Sequence, residues 1–478
     1  MLLKKGIMMN ELINYDIVVI GSGPGGYISA IRASQLGFKT ALVEKYNTLG
    51  GTCLNVGCIP SKAILDSSEH YFQSQKTFLN HGISFNSLTL DFQKMIFRKE
   101  KVVKKILEGL KFLLRKNKID IYHGVGSFKE ENHLMVYQPD NIVEIKFKNA
   151  IISTGSKPSD LPILRIDKKK ILSSTQVLSL TEVPKRLTII GGGVIGLELG
   201  VAYQRLGSEV SIIESSDRII PKMDKGISKY LQKILKKIGI KFNLSSYVKE
   251  VKFKNNEVII KGKSQGERDF EISGDYCLVA IGRKPYTEGL GLQNIGIEID
   301  KSGYILVNKY LQTNVNNIYA IGDVIGGSML AHKAEEEALF VIEHLSGQKP
   351  LKINYNLIPA VIYTWPEVAS VGFTEEELKR KNILYKIGSF PMFALGRSTS
   401  SGDVEGFVKI LASEETDEIL GVHMIGARAS DIIMEAVIAL GFRASSEDLY
   451  RISHPHPTFS EAIRESALSA FNGNPLHI

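Results

Sequence analysis

The sequence predicts an α/β fold with two Rossmann-like dinucleotide-binding domains and a C-terminal α+β domain. A glycine-rich turn at residues 21–26 lies between a short apolar run and a helical pattern, and the same arrangement returns at residues 191–196. From about Asn356 the pattern changes to short apolar strands interleaved with helices, without a further glycine motif. Two strand–turn–helix repeats followed by a different pattern favour two related nucleotide-binding units and a separate final domain.

The first repeat carries the signature of a dinucleotide site. Residues 16–20 form an apolar, β-branched run of the kind found in buried parallel strands. In the turn that follows, Gly21 makes the tight turn, Gly23 lets a pyrophosphate approach the backbone, and Gly26 lets helix and strand pack closely. The next predicted strand ends in Glu44, which is placed to accept ribose hydroxyl groups.

The second repeat has the same parts. After a buried strand, Gly191, Gly193 and Gly196 occupy the positions of the first glycine motif. The following strand ends in Glu214, and a carboxylate here accepts a ribose 2′-hydroxyl and repels a 2′-phosphate. This favours NAD over NADP, although Arg218 in the same loop is a residue type that suits NADP.

The remaining patterns place further elements. Residues 279–285 echo residues 153–158, so each repeat closes on a similar segment. Residues 72–117 are predicted to be helical, and residues 121–149 to form a small antiparallel sheet. In the final domain, strands are predicted at residues 361–364, 407–411 and 420–425, and helices at residues 374–381 and 429–440.

Composition fits a globular protein rather than a membrane-spanning or nucleic-acid-binding one. Apolar residues make up 44% and charged residues 23%, and no apolar run approaches the roughly 18–20 residues of a membrane span. The net charge of +8 is not gathered into one face, because the lysines at residues 168–170 fit a loop and those at residues 233–237 a solvated helix. Residues 1–14 lack the features of a targeting peptide, so we expect a cytoplasmic protein with a short, mobile tail.

Cys53 and Cys58, two of the three cysteines, lie five residues apart just after the first repeat. A regular helix gives this offset a rise of about 7.5 Å, whereas a disulfide needs Cα atoms roughly 4.4–6.8 Å apart. Gly57 and Pro60 can distort the helix, which makes a strained, reducible bridge feasible. A pair of small buried residues is the alternative, and a metal site fits less well because no further Cys or His cluster completes it. The third cysteine, Cys277, is expected to be a buried hydrophobe on a strand.

The run G-G-T-C-L-N-V-G-C-I-P-S-K at residues 50–62 resembles the redox-active disulfide of the flavin-dependent pyridine-nucleotide disulfide oxidoreductases. The resemblance extends from about Tyr15 to about Phe471, and it is strongest to the members that oxidise dihydrolipoyl groups. It implies that Cys53 exchanges with the substrate and that Cys58 faces the flavin. A disulfide that exchanges electrons with a flavin must lie against it, so the first repeat takes FAD and the second takes NAD.

The resemblance also implies a domain division and cofactor contacts. The expected domains are residues 1–156 (FAD binding, with the disulfide), 157–285 (NAD binding), 286–355 (completing the FAD site) and 356–478 (interface). Asp323 is expected at the ribityl chain of FAD, and Lys62 and Glu198 as a charge pair near its reactive edge; a helix cap and ordinary surface charges are the alternatives. Beyond these and the repeat residues, the expected cofactor contacts are Gly51, Thr52, Gly126, Thr154, Gly155, Ser156, Val248, Gly282, Met329, Leu330, Ala331 and His332.

The C-terminal run H-P-H-P-T-F-S-E contains a candidate acid–base pair. By themselves Thr458 and Glu461 form a T-x-x-E capping box, whereas dithiol oxidation needs a base such as a histidine oriented by a carboxylate. The run matches the family signature H-x-H-P-T-x-x-E. The resemblance therefore implies that His456 is the base, that Glu461 orients it, and that His454 is structural.

The resemblance implies an enzyme that oxidises protein-bound dihydrolipoyl groups and passes the electrons through the Cys53–Cys58 disulfide and FAD to NAD⁺. It also implies a homodimer that meets lipoyl domains and the acyltransferase core of 2-oxo acid dehydrogenase complexes, or the lipoyl protein of glycine cleavage. A reductase of the glutathione or trypanothione type should prefer NADPH, which Glu214 opposes. A mercuric-reductase type should carry further terminal cysteines. A non-catalytic scaffold would not need His456 and Glu461 intact.

Overall fold

The computed structural model describes residues 13–478, which form two compact units by their internal contacts. Unit 1 comprises the described chain up to Pro60, Phe97–Ser159 and Gly282–Ile353. Unit 2 comprises Ser61–Ile96, Asp160–Ile281 and Asn354–Ile478. The finer four-domain division stays a prediction. Most of the expected N-terminal tail lies outside the described residues, and its last two positions, 13 and 14, already belong to a strand.

Strands and helices alternate along most of the chain. The strands are β1 (Ile13–Ile20), β2 (Thr40–Glu44), β3 (Asp120–His123), β4 (Val125–Glu130), β5 (His133–Tyr137), β6 (Ile142–Ile152), β7 (Ser156–Pro158), β8 (Ile171–Leu172), β9 (Arg186–Ile190), β10 (Glu209–Ile213), β11 (Lys241–Asn243), β12 (Tyr247–Lys254), β13 (Glu257–Ser264), β14 (Arg268–Gly274), β15 (Tyr276–Val279), β16 (Arg283–Pro285), β17 (Ile318–Ala320), β18 (Ala360–Ile362), β19 (Glu367–Gly372), β20 (Tyr385–Pro391), β21 (Phe407–Ser413) and β22 (Ile419–Gly426). The helices are α1 (Pro24–Gln35), α2 (Gly51–Val56), α3 (Cys58–Lys76), α4 (Phe92–Lys116), α5 (Ser174–Val177), α6 (Val194–Arg205), α7 (Lys225–Lys237), α8 (Ala331–Leu345), α9 (Glu375–Lys381), α10 (Gly396–Ser401), α11 (Ala429–Gly441), α12 (Ser446–Arg451) and α13 (Glu461–Asn472).

Unit 1 is built on one sheet with the strand order β3-β2-β1-β6-β5-β4, and β17 also pairs with β6. The pairs among β1, β2, β3, β6 and β17 are parallel, which places their carboxyl ends at one edge. Alternate residues of β1 enter different cores: Ile17 and Val19 pack into one, Val18 and Ile20 into the other. Both faces of the strand are therefore buried, which is why its sequence is a continuous apolar run.

The small antiparallel sheet expected at residues 121–149 is confirmed only for β4, β5 and the first half of β6. The second half of β6 pairs in parallel with β1, and β3 joins the parallel sheet beside β2. The helix expected over residues 72–117 is wrong in its middle, because α3 ends at Lys76 and α4 begins at Phe92. A short 3₁₀ helix, Phe78–His81, follows α3 and ends at Gly82, which adopts the left-handed φ of +74°.

Unit 2 contains the second repeat and the final domain. The five parallel strands of the repeat lie in the order β11-β10-β9-β15-β8, and β12-β13-β14 form a separate antiparallel sheet. The final domain is an antiparallel sheet in the order β18-β19-β22-β21-β20, and side chains of α11 and α13 share its core. The strands and helices predicted here are confirmed to within about two residues. The α/β fold class with its two dinucleotide units and α+β final domain is thus confirmed.

Candidate active site

Cys53 and Cys58 lie on two different helices that meet at Gly57. α2 carries Cys53 and ends at Val56, and α3 begins at Cys58. A Cβ atom at Gly57 would lie 2.8 Å from the backbone oxygen of Thr52, so only glycine fits this junction. The expected helix distortion therefore occurs at Gly57 alone, since Pro60 sits in the first turn of α3, where a missing N–H costs little.

The two thiols interact directly. The side chain of Cys53 forms a hydrogen bond with that of Cys58, and this contact, followed by burial, raises the pKa of the Cys53 thiol. The negative charge of Glu335 raises it further. Cys58 stands at the N-terminus of the 19-residue α3, where the helix dipole favours a thiolate. In the reduced pair, these effects favour the protonated thiol at Cys53.

The glycine motif of unit 1 has the close contacts that its spacing predicts. A Cβ atom at Gly21 would lie 2.4 Å from the oxygen of Ser153, and one at Gly26 would lie 1.8 Å from the oxygen of Gly21. Gly23 is different, because its nearest neighbour would be Gly51 at 4.0 Å. Gly51 packs in turn against Gly23, with its own Cβ position 2.6 Å from the Gly23 Cα. The backbone at Gly23 is therefore open to an approaching group.

Glu44 is almost fully buried and holds the glycine turn. Its Oε2 accepts hydrogen bonds from the backbone N–H and the hydroxyl of Ser22, at 3.0 and 2.6 Å. Its Oε1 accepts one from the Tyr46 N–H at 2.9 Å. A carboxylate has about four acceptor positions, so about one remains for a ribose hydroxyl.

Glu214 repeats this arrangement in unit 2. Its Oε2 accepts from the Gly192 N–H at 2.7 Å, and its Oε1 accepts from the Ser216 N–H at 2.7 Å and the Ser215 hydroxyl at 3.2 Å. The backbone at Gly193 is open, since no atom lies within 4 Å of a Cβ position there. The Arg218 guanidinium, which could suit an NADP phosphate, instead donates to the oxygen of Pro221 at 2.9 Å.

Asp323 belongs to a chain of polar contacts in unit 1. The Ser156 hydroxyl donates to its Oδ2 at 2.5 Å, and the Arg283 guanidinium donates to the hydroxyl and the backbone oxygen of Ser156, both at 2.7 Å. Burial lowers the pKa of Arg283, and the charges of Asp323 and Cys58 oppose this effect. Arg283 was absent from the expected site residues, although it stands in the segment that closes the second repeat.

The segments that close the two repeats, residues 153–158 and 279–285, are similar in sequence and also pair with each other. β7 pairs with β16 in antiparallel register, with Ser156 opposite Pro285. The Thr154 hydroxyl donates to the backbone oxygen of Tyr286 at 2.6 Å. Gly155 and Gly282 adopt φ values of +70° and +121°. The other expected contacts lie on α2 (Gly51, Thr52), on β4 (Gly126), on β12 (Val248), just before α8 (Met329, Leu330) and in its first turn (Ala331, His332).

The expected charge pair forms within unit 2. Lys62 Nζ lies 2.8 Å from Glu198 Oε2, and Glu198 Oε1 accepts the Tyr363 N–H at 3.0 Å. The ammonium group also lies 4.4 Å from the centre of the Tyr363 ring. Glu198 is buried and Lys62 about one-third exposed, so the pair is anchored at its carboxylate end.

His456 and Glu461 form the expected pair, also in unit 2. His456 Nδ1 lies 2.8 Å from Glu461 Oε1, while Glu461 Oε2 accepts the Thr458 N–H at 2.8 Å. One carboxylate thus holds both the Thr458 backbone and the histidine. The alternative capping box does not form, because α13 begins only at Glu461 and the Thr458 hydroxyl donates to the Pro455 oxygen. Burial alone would raise the pKa of Glu461, but its hydrogen bonds with Thr458 and His456 outweigh it and lower the pKa. The ring of His456 is 74% exposed, so its other nitrogen is open to a partner.

His454 is enclosed instead. Its Nε2 contacts Glu435 and its Nδ1 lies 2.9 Å from the oxygen of Ile452. The hydrogen bond with Glu435 raises the pKa of His454. Cys277 is fully buried on β15, as expected, and burial raises the pKa of its thiol to about 12.

The residues present fit two dinucleotides. α1, α6 and α8 begin after Gly23, Gly193 and Leu330, none of which supplies a capping side chain. The first N–H groups of a helix need acceptors, and a phosphate is a suitable one. Open backbone at Gly23 and Gly193 leaves room for such groups. Among residues 13–478, no cluster of three or more acidic, His or Cys side chains could hold a metal ion.

Comparison with known proteins agrees with this geometry. Residues 15–338 match the model of the pyridine nucleotide-disulphide oxidoreductases, and residues 358–467 match the dimerisation domain of the same family. The chain belongs to this family. Its members use FAD and a nicotinamide nucleotide, and this chain is an FAD- and NAD-dependent oxidoreductase with a dimerisation domain that fits a homodimer.

The chain resembles several members over its whole length. It is 46% identical to dihydrolipoyl dehydrogenase 2, mitochondrial, of Arabidopsis thaliana, covering 100% of this chain and 94% of the relative. It is 47% identical to the mitochondrial dihydrolipoyl dehydrogenase of Pisum sativum, covering 97% and 92%. Among solved structures, the HOCl-induced flavoprotein disulfide reductase RclA from Escherichia coli superposes with a TM-score of 0.85 at 27% identity, covering 95% and 99%.

These comparisons overturn one expectation. The cytoplasmic location inferred from residues 1–14 is wrong, because the similar dihydrolipoyl dehydrogenases of five organisms are mitochondrial proteins. Within residues 13–478, no helix combines the length and the apolarity that a membrane crossing requires.

Proposed function

We infer that the chain acts as a dihydrolipoyl dehydrogenase, which oxidises protein-bound dihydrolipoyl groups and reduces NAD⁺. The observation that carries this is the adjacent Cys53–Cys58 pair at the Gly57 junction, in a chain that matches dihydrolipoyl dehydrogenases along its full length. Bound FAD supplies the two-electron path between the disulfide and NAD⁺. The relatives' names point to a mitochondrial setting.

We propose that the cysteines have distinct roles. A substrate thiolate attacks Cys53 Sγ, the Cys53–Cys58 bond breaks, and Cys58 leaves as a thiolate. The second substrate thiolate then attacks the substrate sulfur of the mixed disulfide and releases Cys53. The products are a lipoyl disulfide, a Cys53 thiol, a Cys58 thiolate and one proton. The raised pKa of Cys53 and the helix N-terminus at Cys58 both support this division of charge.

His456 is the proposed acceptor of that proton, with Glu461 as its orienting partner. The hydrogen bond at Nδ1 leaves Nε2 as the proton-accepting nitrogen of the neutral ring. Cys53 belongs to unit 1 and His456 to unit 2. We propose that each site combines Cys53 and Cys58 of one chain with His456 and Glu461 of the partner subunit.

The final domain offers support for a homodimer. Met434 and Ile438 on α11 and Phe442 just after it follow one another at four-residue intervals and are exposed, Phe442 to 85%. Such a stripe is typical of an interface. The shared-site model is tested by co-expressing Cys53→Ser and His456→Gln chains with different tags. The isolated heterodimer has one doubly damaged and one intact site, so it should recover about half of the wild-type activity; an inactive heterodimer would refute the model.

We propose the following cofactor contacts for residues described above. Glu44 and Glu214 are the proposed ribose acceptors of FAD and NAD, Asp323 the ribityl acceptor, and Lys62 with Glu198 the pair at the flavin edge. The finer partners we propose are lipoyl domains and the acyltransferase core of 2-oxo acid dehydrogenase complexes, or the lipoyl protein of glycine cleavage. The proposed division into domains at residues 1–156, 157–285, 286–355 and 356–478 follows the same roles.

One assay matrix tests the function. Dihydrolipoamide, glutathione disulfide and Hg(II) are each offered with NAD(H) and with NADP(H), in the oxidising or reducing direction that each requires. We expect turnover only with dihydrolipoamide and NAD⁺, and in reverse with lipoamide and NADH. Faster reduction of glutathione disulfide with NADPH would assign the chain to the competing class.

A further inference from the structure

Lys333 and Glu337 form a fully buried ion pair inside unit 1. They lie one turn apart on α8, their charged atoms are 2.9 Å apart, and their side chains are 2% and 0% exposed. In the sequence A-H-K-A-E-E-E they look like ordinary charges of a solvated helix. Their burial sets them apart from Arg32 and Glu343, a pair in which Glu343 also belongs to α8 and both side chains are over a quarter exposed.

The buried pair holds both backbone groups of Gly322. Glu337 Oε2 accepts the Gly322 N–H at 2.7 Å, and Lys333 Nζ donates to the Gly322 oxygen at 3.2 Å. Gly322 adopts φ +77°, a conformation that favours glycine, and an added Cβ atom would lie 3.2 Å from the Ala334 side chain. Both backbone groups of one glycine are thus fixed by opposite charges of one pair.

Asp323 follows Gly322 directly, so the two hydrogen bonds to Gly322 also determine where the Asp323 backbone lies. The carboxylate of Asp323 is fixed independently, through the Ser156 hydroxyl and Arg283 behind it. The residue is therefore held at both its backbone and its side chain. A strand end that only needed to stop or cap a helix would not require two such contacts.

The energetics indicate why two charged side chains are buried here. Removing two charges from water costs several kcal/mol per ion, and apolar residues of similar size in place of a buried pair are often neutral or stabilising for a fold. An apolar pair would fill the same space under the sheet. Only charged or hydrogen-bonding side chains can hold both polar groups of Gly322.

We propose that the Lys333–Glu337 pair is a positioning element for Asp323, which sets the affinity of the protein for FAD. This inference rests on the proposed role of Asp323 as a ribityl acceptor. The pair does not touch the reacting atoms. It acts through the peptide of Gly322.

The test replaces both charges by methionine in the full-length holoenzyme, as Lys333→Met with Glu337→Met. FAD release on dilution is followed by flavin fluorescence, and the fold by far-UV circular dichroism. We expect an unchanged circular dichroism spectrum with a dissociation constant for FAD raised by about tenfold to a hundredfold. The matched control, Arg32→Met with Glu343→Met, removes an ion pair that does not contact Gly322 and should leave the constant within twofold.

A second variant tests the proposal if the double methionine variant does not fold. Glu337→Asp keeps the charge but shortens the side chain by one methylene, which draws the carboxylate away from the Gly322 N–H, and we expect at least a fivefold loss of FAD affinity. Unchanged affinity in a folded double variant, or in Glu337→Asp, overturns the proposal. Asp323→Ala distinguishes a failure of this inference from a failure of the proposed role of Asp323. If Asp323→Ala leaves FAD affinity unchanged, the role of Asp323 itself is wrong. If Asp323→Ala binds FAD weakly while the Lys333 and Glu337 variants bind it fully, only the positioning role of the ion pair is wrong.

Discussion

Replacing Glu214 by glutamine should remove most of the preference for NAD. The carboxylate accepts three hydrogen bonds within the protein, from the N–H groups of Gly192 and Ser216 and the hydroxyl of Ser215, which leaves about one acceptor position for a ribose 2′-hydroxyl. The amide oxygen of glutamine can still accept from Gly192. Its NH₂ group then faces the Ser216 N–H, a donor against a donor.

The size of the effect follows from burial. Glu214 is only 8% exposed, so an unmatched donor here costs about 1–3 kcal/mol. This corresponds to roughly a tenfold to hundredfold loss in kcat/KM for NAD⁺, mostly through KM. The same change removes the negative charge that repels a 2′-phosphate, so kcat/KM for NADP⁺ should fall less or rise. The ratio of the two constants should therefore shrink by more than twofold.

The assay is steady-state oxidation of dihydrolipoamide with each coenzyme. Glu44→Gln is the matched control, because Glu44 also accepts hydrogen bonds from two backbone N–H groups and one hydroxyl, in unit 1. That variant should lose FAD affinity and keep the wild-type ratio of NAD⁺ to NADP⁺. A folded Glu214→Gln protein whose ratio stays within twofold of the wild type would refute the assignment of Glu214 as the ribose acceptor.

Three further outcomes are expected. Cys58→Ser should abolish dihydrolipoamide oxidation but keep NADH oxidation by a dye that takes electrons from the flavin; retained dihydrolipoamide turnover would exclude the disulfide relay. Glu461→Gln should lower kcat with dihydrolipoamide by about tenfold to a hundredfold without changing dye reduction, because only the orientation and charge support of His456 are lost; equal losses in both assays would indicate damage elsewhere. The hydrogen bond from Lys379, aided by Lys409, lowers the pKa of Glu375 to about 2 despite partial burial, so this carboxylate should stabilise the fold by up to about 3 kcal/mol above pH 4.5 and lose that effect as the pH falls toward 2. Urea unfolding of Glu375→Gln should accordingly differ from wild type at pH 7 and converge with it in acid; a constant difference across this range would contradict the shift.

The sequence predicts the strand–turn–helix repeats well because their physical causes are local. Gly21 and Gly26 are required by contacts within a few residues or with the adjacent strand, and an apolar run buried on both faces is readable without knowing its partners. Glu44 and Glu214 are likewise placed by their position at the end of a strand. Their hydrogen bonds to the glycine turn repeat in both units because the local geometry repeats.

The failures involve information that the local pattern does not contain. The amphipathic pattern continues on both sides of Gly82, so the break between α3 and α4 was hidden. The two-sided pairing of β6 depends on β1 and β5, which come from different parts of the chain. The buried Lys333–Glu337 pair and Arg283 look like surface charges in the sequence. The sequence could have marked Arg283 as a site residue, because it stands in a segment similar to residues 153–158.

The antiparallel pair β7–β16 bears on how such a chain can be assembled. The backbone N–H of Ser159 donates to the oxygen of Gly282 at 3.0 Å, so the chain leaves and re-enters unit 1 at adjacent points. The intervening residues, 160–281, contain every strand of the second repeat. An insertion with neighbouring ends disturbs its host little. The hairpin closes the path of unit 1, so the second repeat can be present without changing the order of the strands that carry the first glycine turn.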